Sequence, residues 1–186
     1  MGRLIYSMIT SLDGYVSGPD GGFDWALDPQ LHDFITAQFA DVGTYLYGRR
    51  MYETMVYWET AHLERDQPQE GIDYARVWQA ADKIVFSRTL DEVSSARTRI
   101  EREFDPAAVE RWKAESAHDF TVDGPMLAAE AIRAGLVDEF GLFIGPGIVG
   151  GGTPFFPDGV SVALELADDR RFDSGVMFLR YEVVRT

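Results

Sequence analysis

The sequence predicts an α/β fold with a mostly parallel central mixed sheet and antiparallel C-terminal strands, and three observations predict it. Strand-like apolar runs alternate with helix-like ones along most of the chain. Two of those strand runs pass into a helix through a glycine, at Leu46-Tyr47-Gly48-Arg49 and at Val122-Asp123-Gly124-Pro125. The last third then changes character, with apolar β segments and a Gly/Pro-rich loop but no further helix pattern. A length of 186 residues suits one domain, 1–186, large enough to bury roughly 70% of its unfolded surface.

Each element has a local reason. Arg3 to Ile9 is β-rich and mostly apolar, and the run from Ser11 to Pro19 ends it in turn chemistry. Asp28-Pro29 opens a helix, the acid as N-cap and the proline at the first helical position, and Leu31, Phe34, Ile35 and Phe39 recur at helical spacing. Thr44 to Gly48 reads as a short buried strand leading into a helix from Arg49 to about Tyr57. Tyr74 to Ala81 reads as a helix, Lys83 to Ser87 and Thr98 to Glu103 as strands. Asp105-Pro106 repeats the capped start, for a helix to about Ser116. Asp119 to Val122 is a strand, followed by a helix from Gly124-Pro125 to Ala134 that Gly135 stops. Glu139 to Ile144 is apolar, and a loop follows to Gly159. Val160, Val162, Leu164 and Leu166 alternate with Ser161, Ala163 and Glu165, the pattern of a half-buried strand, and Val176 to Val184 is the final β segment.

Composition excludes several chemistries. The chain has no cysteine, which removes disulfides, thiolate zinc sites, iron–sulfur clusters and a cysteine nucleophile. With 17 basic against 31 acidic residues the formal charge is −14, unlike the net basic face that a general nucleic-acid binder needs. Asp13 interrupts the N-terminal apolar run too early for a secretory core, and no apolar stretch approaches the ~18 residues of a membrane span. The expectation is a cytoplasmic protein without nucleic-acid or membrane partners. Any anionic ligand must be held by a local basic cluster against the global field.

Three strand-to-helix or strand-to-loop junctions carry such residues. Gly48-Arg49-Arg50-Met51 sets two arginines in a first helical turn, where cations oppose the helix dipole unless an anion docks; two solvated arginines, one paired with Glu53, is the plainer alternative. Ser87-Arg88-Thr89 presents two hydroxyls around a guanidinium at a strand end, a set that suits a phosphate or a ribose 2′-phosphate and equally an ordinary turn. Gly124-Pro125-Met126-Leu127 opens a helix of small residues whose free amides face a pyrophosphate or simply solvent. All three follow strands of what should be one sheet, so they converge at the carboxyl ends of its strands. Gly145-Pro146-Gly147-Ile148-Val149-Gly150 matches the G-x-G-x-x-G letters, but Gly151, Gly152, Pro154 and Pro157 forbid the helix that a dinucleotide fingerprint requires. No G-x-S-x-G, His-based triad or metal-ligand cluster is present, so no metal is expected.

Taken in order, Ser11-Leu12-Asp13-Gly14-Tyr15-Val16, Gly48 to Glu53, Val122 to Ala128 and the run Ile144 to Phe156 resemble the dihydrofolate-reductase-like superfamily. The branch is that of the C-terminal reductase domain of bifunctional riboflavin-biosynthesis deaminase-reductases. The resemblance covers nearly the whole chain. It implies a three-layer sandwich, an NADPH cofactor, hydride transfer to a small nitrogen heterocycle, and a homodimer. It also implies that Gly48, Arg49, Arg50 and Met51 hold cofactor phosphates and that Ser87, Arg88 and Thr89 take the adenosine end. Gly124, Pro125, Met126 and Leu127 then meet the pyrophosphate, while Ile9 and the Asp13-Gly14 loop border the nicotinamide. The zinc deaminase half, with its H-x-E…P-C-x-x-C site, cannot exist without cysteine.

The acidic partner of the substrate is open between two residues. In dihydrofolate reductases a carboxylate on the first helix anchors the heterocycle, and by that resemblance counting back from Gly48 reaches Asp33, which is equally a solvated helix residue; Asp13 is the other polar group, with a plain Asp-Gly turn as its alternative. Trp25, Phe34, Tyr52 and Trp58 supply either an apolar wall for a stacked ring or ordinary core. Asp123 departs from the family pattern and would repel a phosphate if it faced one. Reduction of a ribosylaminopyrimidine is the first expectation; pterin or dihydrofolate reduction, or nucleotide binding without catalysis, are the alternatives.

Overall fold

The computed structural model describes residues 1–22 and 29–185; the candidates Trp25 and Asp28 lie outside them. In chain order the strands are β1 (Leu4–Thr10), β2 (Tyr15–Ser17), β3 (Val42–Gly48), β4 (Asp82–Phe86), β5 (Thr98–Glu101), β6 (Asp119–Asp123), β7 (Glu139–Ile144), β8 (Thr153–Pro154), β9 (Leu164–Arg171) and β10 (Met177–Val183). The α-helices are α1 (Pro29–Phe39), α2 (Arg49–Met55), α3 (Gln69–Ala80), α4 (Pro106–Glu115) and α5 (Pro125–Arg133). Eight strands form one sheet in the order β5-β4-β3-β6-β1-β7-β10-β9, and β2 pairs with β8 separately. From β5 to β7 the neighbours are parallel; β10 runs antiparallel to β7, and β9 antiparallel to β10.

Both faces of the parallel part are covered, and its inner strands β1, β3, β6 and β7 are buried over most of their length. On one face Val109 of α4 and Leu127, Ala128, Ala131 and Ile132 of α5 pack with Leu46, Ile84 and Val122. On the other, Tyr74 and Trp78 of α3 pack with Tyr45, Tyr47 and Val85. There α1 contributes Leu31 and Phe34 to a second cluster with Phe143, Phe172 and Phe178. The period-2 alternation of β3 therefore sends Leu46 to one layer and its two tyrosine neighbours to the other.

This layering creates a switch point. The chain leaves β3 toward the α3 face, where Tyr52 of α2 is buried, whereas it leaves β6 into α5 on the opposite face. β3 and β6 are adjacent, with Tyr47 opposite Asp123. Neighbouring strands whose connections depart to opposite sides leave a crevice at their carboxyl ends.

Most element boundaries follow the sequence expectation, and the capped start at Asp105 is seen: its carboxylate accepts from the Ala107 amide at 3.0 Å, and Gly135 takes a φ of 68° after α5. Three differ. α3 begins at Gln69 instead of Tyr74, because its first turns are polar and its cap, Pro68, offers no side-chain acceptor. The helix after Gly48 ends at Met55 and tightens into 3₁₀ turns over Val56–Glu59 and Ala61–Leu63. The alternation from Val160 does not mark the strand, which starts at Leu164 and continues to Arg171. Val160 belongs to a loop packed on the main core, as Leu164 is, whereas Leu166 is 49% exposed.

Candidate functional site

The three phosphate-type junctions meet at this crevice. Arg49 Nη1 donates to Thr89 Oγ1 at 2.8 Å, which joins the turn after β3 to the turn after β4. Gly124, the cap of α5, has φ 94°, and a Cβ built there would sit 3.2 Å from the Met51 Cβ. A Cβ on Gly48 would lie 3.9 Å from that of Leu127. Glycine at 124 thus serves both the left-handed backbone and the close approach of α2 to α5.

The polar groups differ in availability. Arg49 also donates to Glu53 at 2.7 Å, so its guanidinium is held on two sides. Arg50 is exposed and has no ion pair among the described residues. Arg88 is exposed and reaches Glu103 at 3.2 Å. The Ser87 hydroxyl accepts from the Thr89 and Leu90 amides and is occupied by its own turn. Pro125 has no N–H to offer, Gly124 provides α5 with no side-chain cap, and Met126 is 79% exposed at the helix entrance.

A second pair of loops closes the neighbouring end of β1 and β7. The Asp13 carboxylate accepts from the Gly150 amide at 2.8 Å and the Val149 amide at 3.1 Å. Leu12 N donates to the Gly147 carbonyl at 2.7 Å, and Phe155 N to that of Gly14 at 2.9 Å. The hydrogen bond from Ser11, then the amides of Gly150 and Val149, hold the Asp13 carboxyl below the usual range. Asp13 is therefore an ionised staple between two loops and an unsuitable proton donor near neutral pH. The glycine-rich run contains no helix, and β8 follows it. Side chains built on Gly14, Gly147 or Gly150 would meet nothing within 4 Å, so this part of the crevice wall is open.

The residues expected at the substrate fall into distinct surroundings. Ile9 and Phe34 share one apolar cluster, with the Phe34 ring 5.0 Å from that of Phe178 and the Arg170 guanidinium 4.8 Å from its centroid. Asp33 is exposed on α1, its carboxylate without a partner among the described residues. Trp58 is half-buried against Tyr74, ring centroids 4.8 Å apart. Tyr52 corrects the expectation. It is 3% exposed, and its hydroxyl meets Ser95 Oγ and accepts from the Ser94 amide, both at 2.9 Å. Its place is the core beneath the crevice, and it has no face to offer a ring.

Asp123, which would repel a phosphate if it faced one, faces the other way. Cross-strand pairing puts Thr121 opposite Tyr45 and Asp123 opposite Tyr47, so the acid points to the tyrosine layer, away from α5 and any anion at its entrance. It is buried, with Thr121 Oγ1 donating to it at 2.6 Å. Burial pushes the carboxyl up to about 7, and the Thr121 hydrogen bond pulls the other way. Burial also raises the phenols of Tyr45, Tyr47 and Tyr74, and the nearby acid raises them further. The Tyr45 hydroxyl is buried without a partner among the described residues. The strict alternation of Asp119 to Asp123 was the available signal.

A cavity lined by Ser7, Glu139 and Gly141 lies under α1 toward the amino ends of the strands, away from this crevice. Among the described residues there is no cluster of metal-ligating side chains, and no helix is long and apolar enough to cross a membrane.

The layers and the crevice at the carboxyl strand ends define a dihydrofolate-reductase-like domain. Residues 3–178 match the model of the RibD C-terminal domain, and the chain belongs to that family. The uncharacterized protein YyaP of Bacillus subtilis (strain 168) is 29% identical over 183 residues, 96% of this chain and 94% of that protein. A putative riboflavin biosynthesis protein from Shewanella sp. PV-4 superposes with a TM-score of 0.76 at 20% identity, covering 98% of this chain and 99% of the other. The Thermotoga maritima diaminohydroxyphosphoribosylaminopyrimidine deaminase/5-amino-6-(5-phosphoribosylamino)uracil reductase gives 0.68 at 14%, covering 98% of this chain and 57% of that one. Dihydrofolate reductase from Enterococcus faecalis, complexed with NADP(H), gives 0.65 at 16%, covering 98% and 96%. At these identities the three structures speak for the fold.

Proposed function

We propose that this chain is an NADPH-dependent reductase that transfers hydride to a small nitrogen heterocycle, a ribosylaminopyrimidine of the riboflavin-pathway type before a pterin or dihydrofolate. The observation that carries the reading is the joining of the three junctions at one switch point, through Arg49 to Thr89 and Met51 to Gly124. Membership of the RibD C-terminal domain family and the NADP(H) complex of a structural neighbour support it.

The residues present fit the cofactor. The crevice has a glycine cradle at Gly48 and Gly124, uncapped amides at the start of α5, and cations at Arg49, Arg50 and Arg88 in a chain of charge −14. Gly48 to Met51 and Gly124 to Leu127 would hold the phosphates, Arg88 and Thr89 the adenosine end, and Ile9 and Gly14 the nicotinamide border. The bound nicotinamide supplies the hydride, which leaves the protein to orient, exclude water and provide a proton. Phe34 and Ile9 offer the apolar side of a ring site.

The test is loss of NADPH absorbance with a panel of ribosylaminopyrimidines, pterins and dihydrofolate. Turnover with one member is expected. Tight NADPH binding with no oxidation by any of them would overturn the catalytic reading.

A further inference from the structure

Position 141 leaves a gap in the face of the sheet that α1 covers. Ser7 of β1, Gly141 of β7 and Arg180 of β10 stand opposite one another across three adjacent strands, so they share a face. A Cβ built on Gly141 would lie 2.4 Å from Ser7 Oγ and 3.5 Å from Phe178 Cε2. The glycine and the overlying end of α1, at Gln38 and Phe39, enclose a cavity that Ser7 and Glu139 also line.

The polar groups around this gap are short of partners. Ser7 is 9% exposed, and its hydroxyl has no hydrogen-bond partner among the described residues. Glu139 is 5% exposed; Arg3 at 2.8 Å and Arg180 at 3.6 Å both meet its Oε2. Oε1 has no hydrogen bond among the described residues, and the buried Arg180 Nε has none either. Burial raises the Glu139 carboxyl above its ordinary value, against the pull of Arg3 and Arg180. A carboxylate oxygen accepts, a guanidinium N–H donates, and a hydroxyl does both. One water molecule can serve all three, and buried polar groups left unserved cost free energy.

Size decides what the cavity takes. The centre of a water-sized sphere is free to move within about 20 Å³ of it, and one water needs about 10–15 Å³ on that measure. An organic ligand or a polyatomic anion is too large. Arg3 and Arg180 already offset the Glu139 charge, so nothing in the lining calls for a cation.

We propose that the cavity at Gly141 is a binding site for one internal water, which bridges Ser7 Oγ and Glu139 Oε1 with Arg180 Nε as a third partner. The water joins α1 to the sheet at the end remote from the crevice. The proposal does not depend on the reductase reading, because nothing in it involves the cofactor.

A crystal structure of the wild type tests it directly. One density peak within hydrogen-bond distance of both Ser7 Oγ and Glu139 Oε1 is expected; no density between them would overturn the proposal. Ser7→Val tests the energetics, since it replaces the hydroxyl with methyls that occupy the water's space. Expelling the water leaves Glu139 Oε1 and Arg180 Nε unpaired, so Tm should fall by about 2–8 °C. In a dry void the added methyl would gain packing contacts, and a Tm that holds or rises would refute the site. Oxygen-17 relaxation dispersion separates loss of the water from steric strain. Ser7→Val should show one long-lived internal water fewer than the wild type, and equal numbers would overturn the proposal.

Discussion

Arg49 and Thr89 are hydrogen-bonded across the crevice mouth, Nη1 to Oγ1 at 2.8 Å, although 40 residues separate them. The bond ties the helix turn after β3 to the strand end of β4, and Glu53 fixes the other side of the same guanidinium. A cation held on two sides is preorganised for a third, anionic partner, so little freedom is lost when a phosphate arrives.

Replacing Arg49 by alanine should therefore weaken NADPH binding by about 10- to 100-fold, the scale of one hydrogen bond to a charged group. NADH should lose less. Fluorescence titration of both cofactors checks this, and an unchanged NADPH affinity would remove Arg49 from the site.

Gly124→Ala should destabilise the fold by about 1–3 kcal/mol, because a side chain at φ 94° is strained and its Cβ would press on Met51 at 3.2 Å. Urea denaturation measures the loss. Gly147→Ala, whose Cβ would meet nothing within 4 Å, should change stability by no more than about 0.5 kcal/mol.

Asp123 makes stability depend on pH in a specific direction. Its folded value, about 7, lies above the ordinary 3.8, so between these values the folded state binds the proton that the unfolded state has released. The stabilisation is whole below about pH 4 and is lost as pH rises through 7. Asp123→Asn removes the titration. The stability of the variant relative to wild type should climb from pH 4 to pH 8 by at most about 4 kcal/mol, at 1.36 kcal/mol per unit. Denaturation across that range checks the slope, and a flat difference would contradict a buried protonated acid.

Asp13→Ala should release a loop without removing an acid. Its carboxylate anchors the Val149 and Gly150 amides, so those amides should exchange faster in the variant. The pH profile of turnover should keep its shape. A lost acidic limb in that profile would return Asp13 to the role of proton donor.

The fold was legible where one residue's chemistry decides local structure. Pro29, Asp105 and Pro106, Gly124 with Pro125, and Gly135 mark helix ends that the backbone follows. It was less legible where a neighbour decides. Gln69 starts α3 without a capping side chain, and the alternation from Val160 reflects packing of a loop on the core more than a ladder. In the site, the turns themselves could be read from glycine and arginine. The burial of Tyr52 depends on Ser94 and Ser95, some 42 residues away, and the direction of Asp123 depends on its register with Tyr47. The first does not follow from spacing along one segment; for the second the alternation of Asp119 to Asp123 says that Thr121 and Asp123 share a face, but not which layer that face meets.

The most direct test of the central claim is a titration of the protein with NADPH and, separately, NADH, followed by nicotinamide fluorescence. The crevice between β3 and β6, with its arginines and glycines, predicts saturable binding of one NADPH per chain and markedly weaker binding of NADH. No saturable binding, or equal affinity for the two, would contradict it.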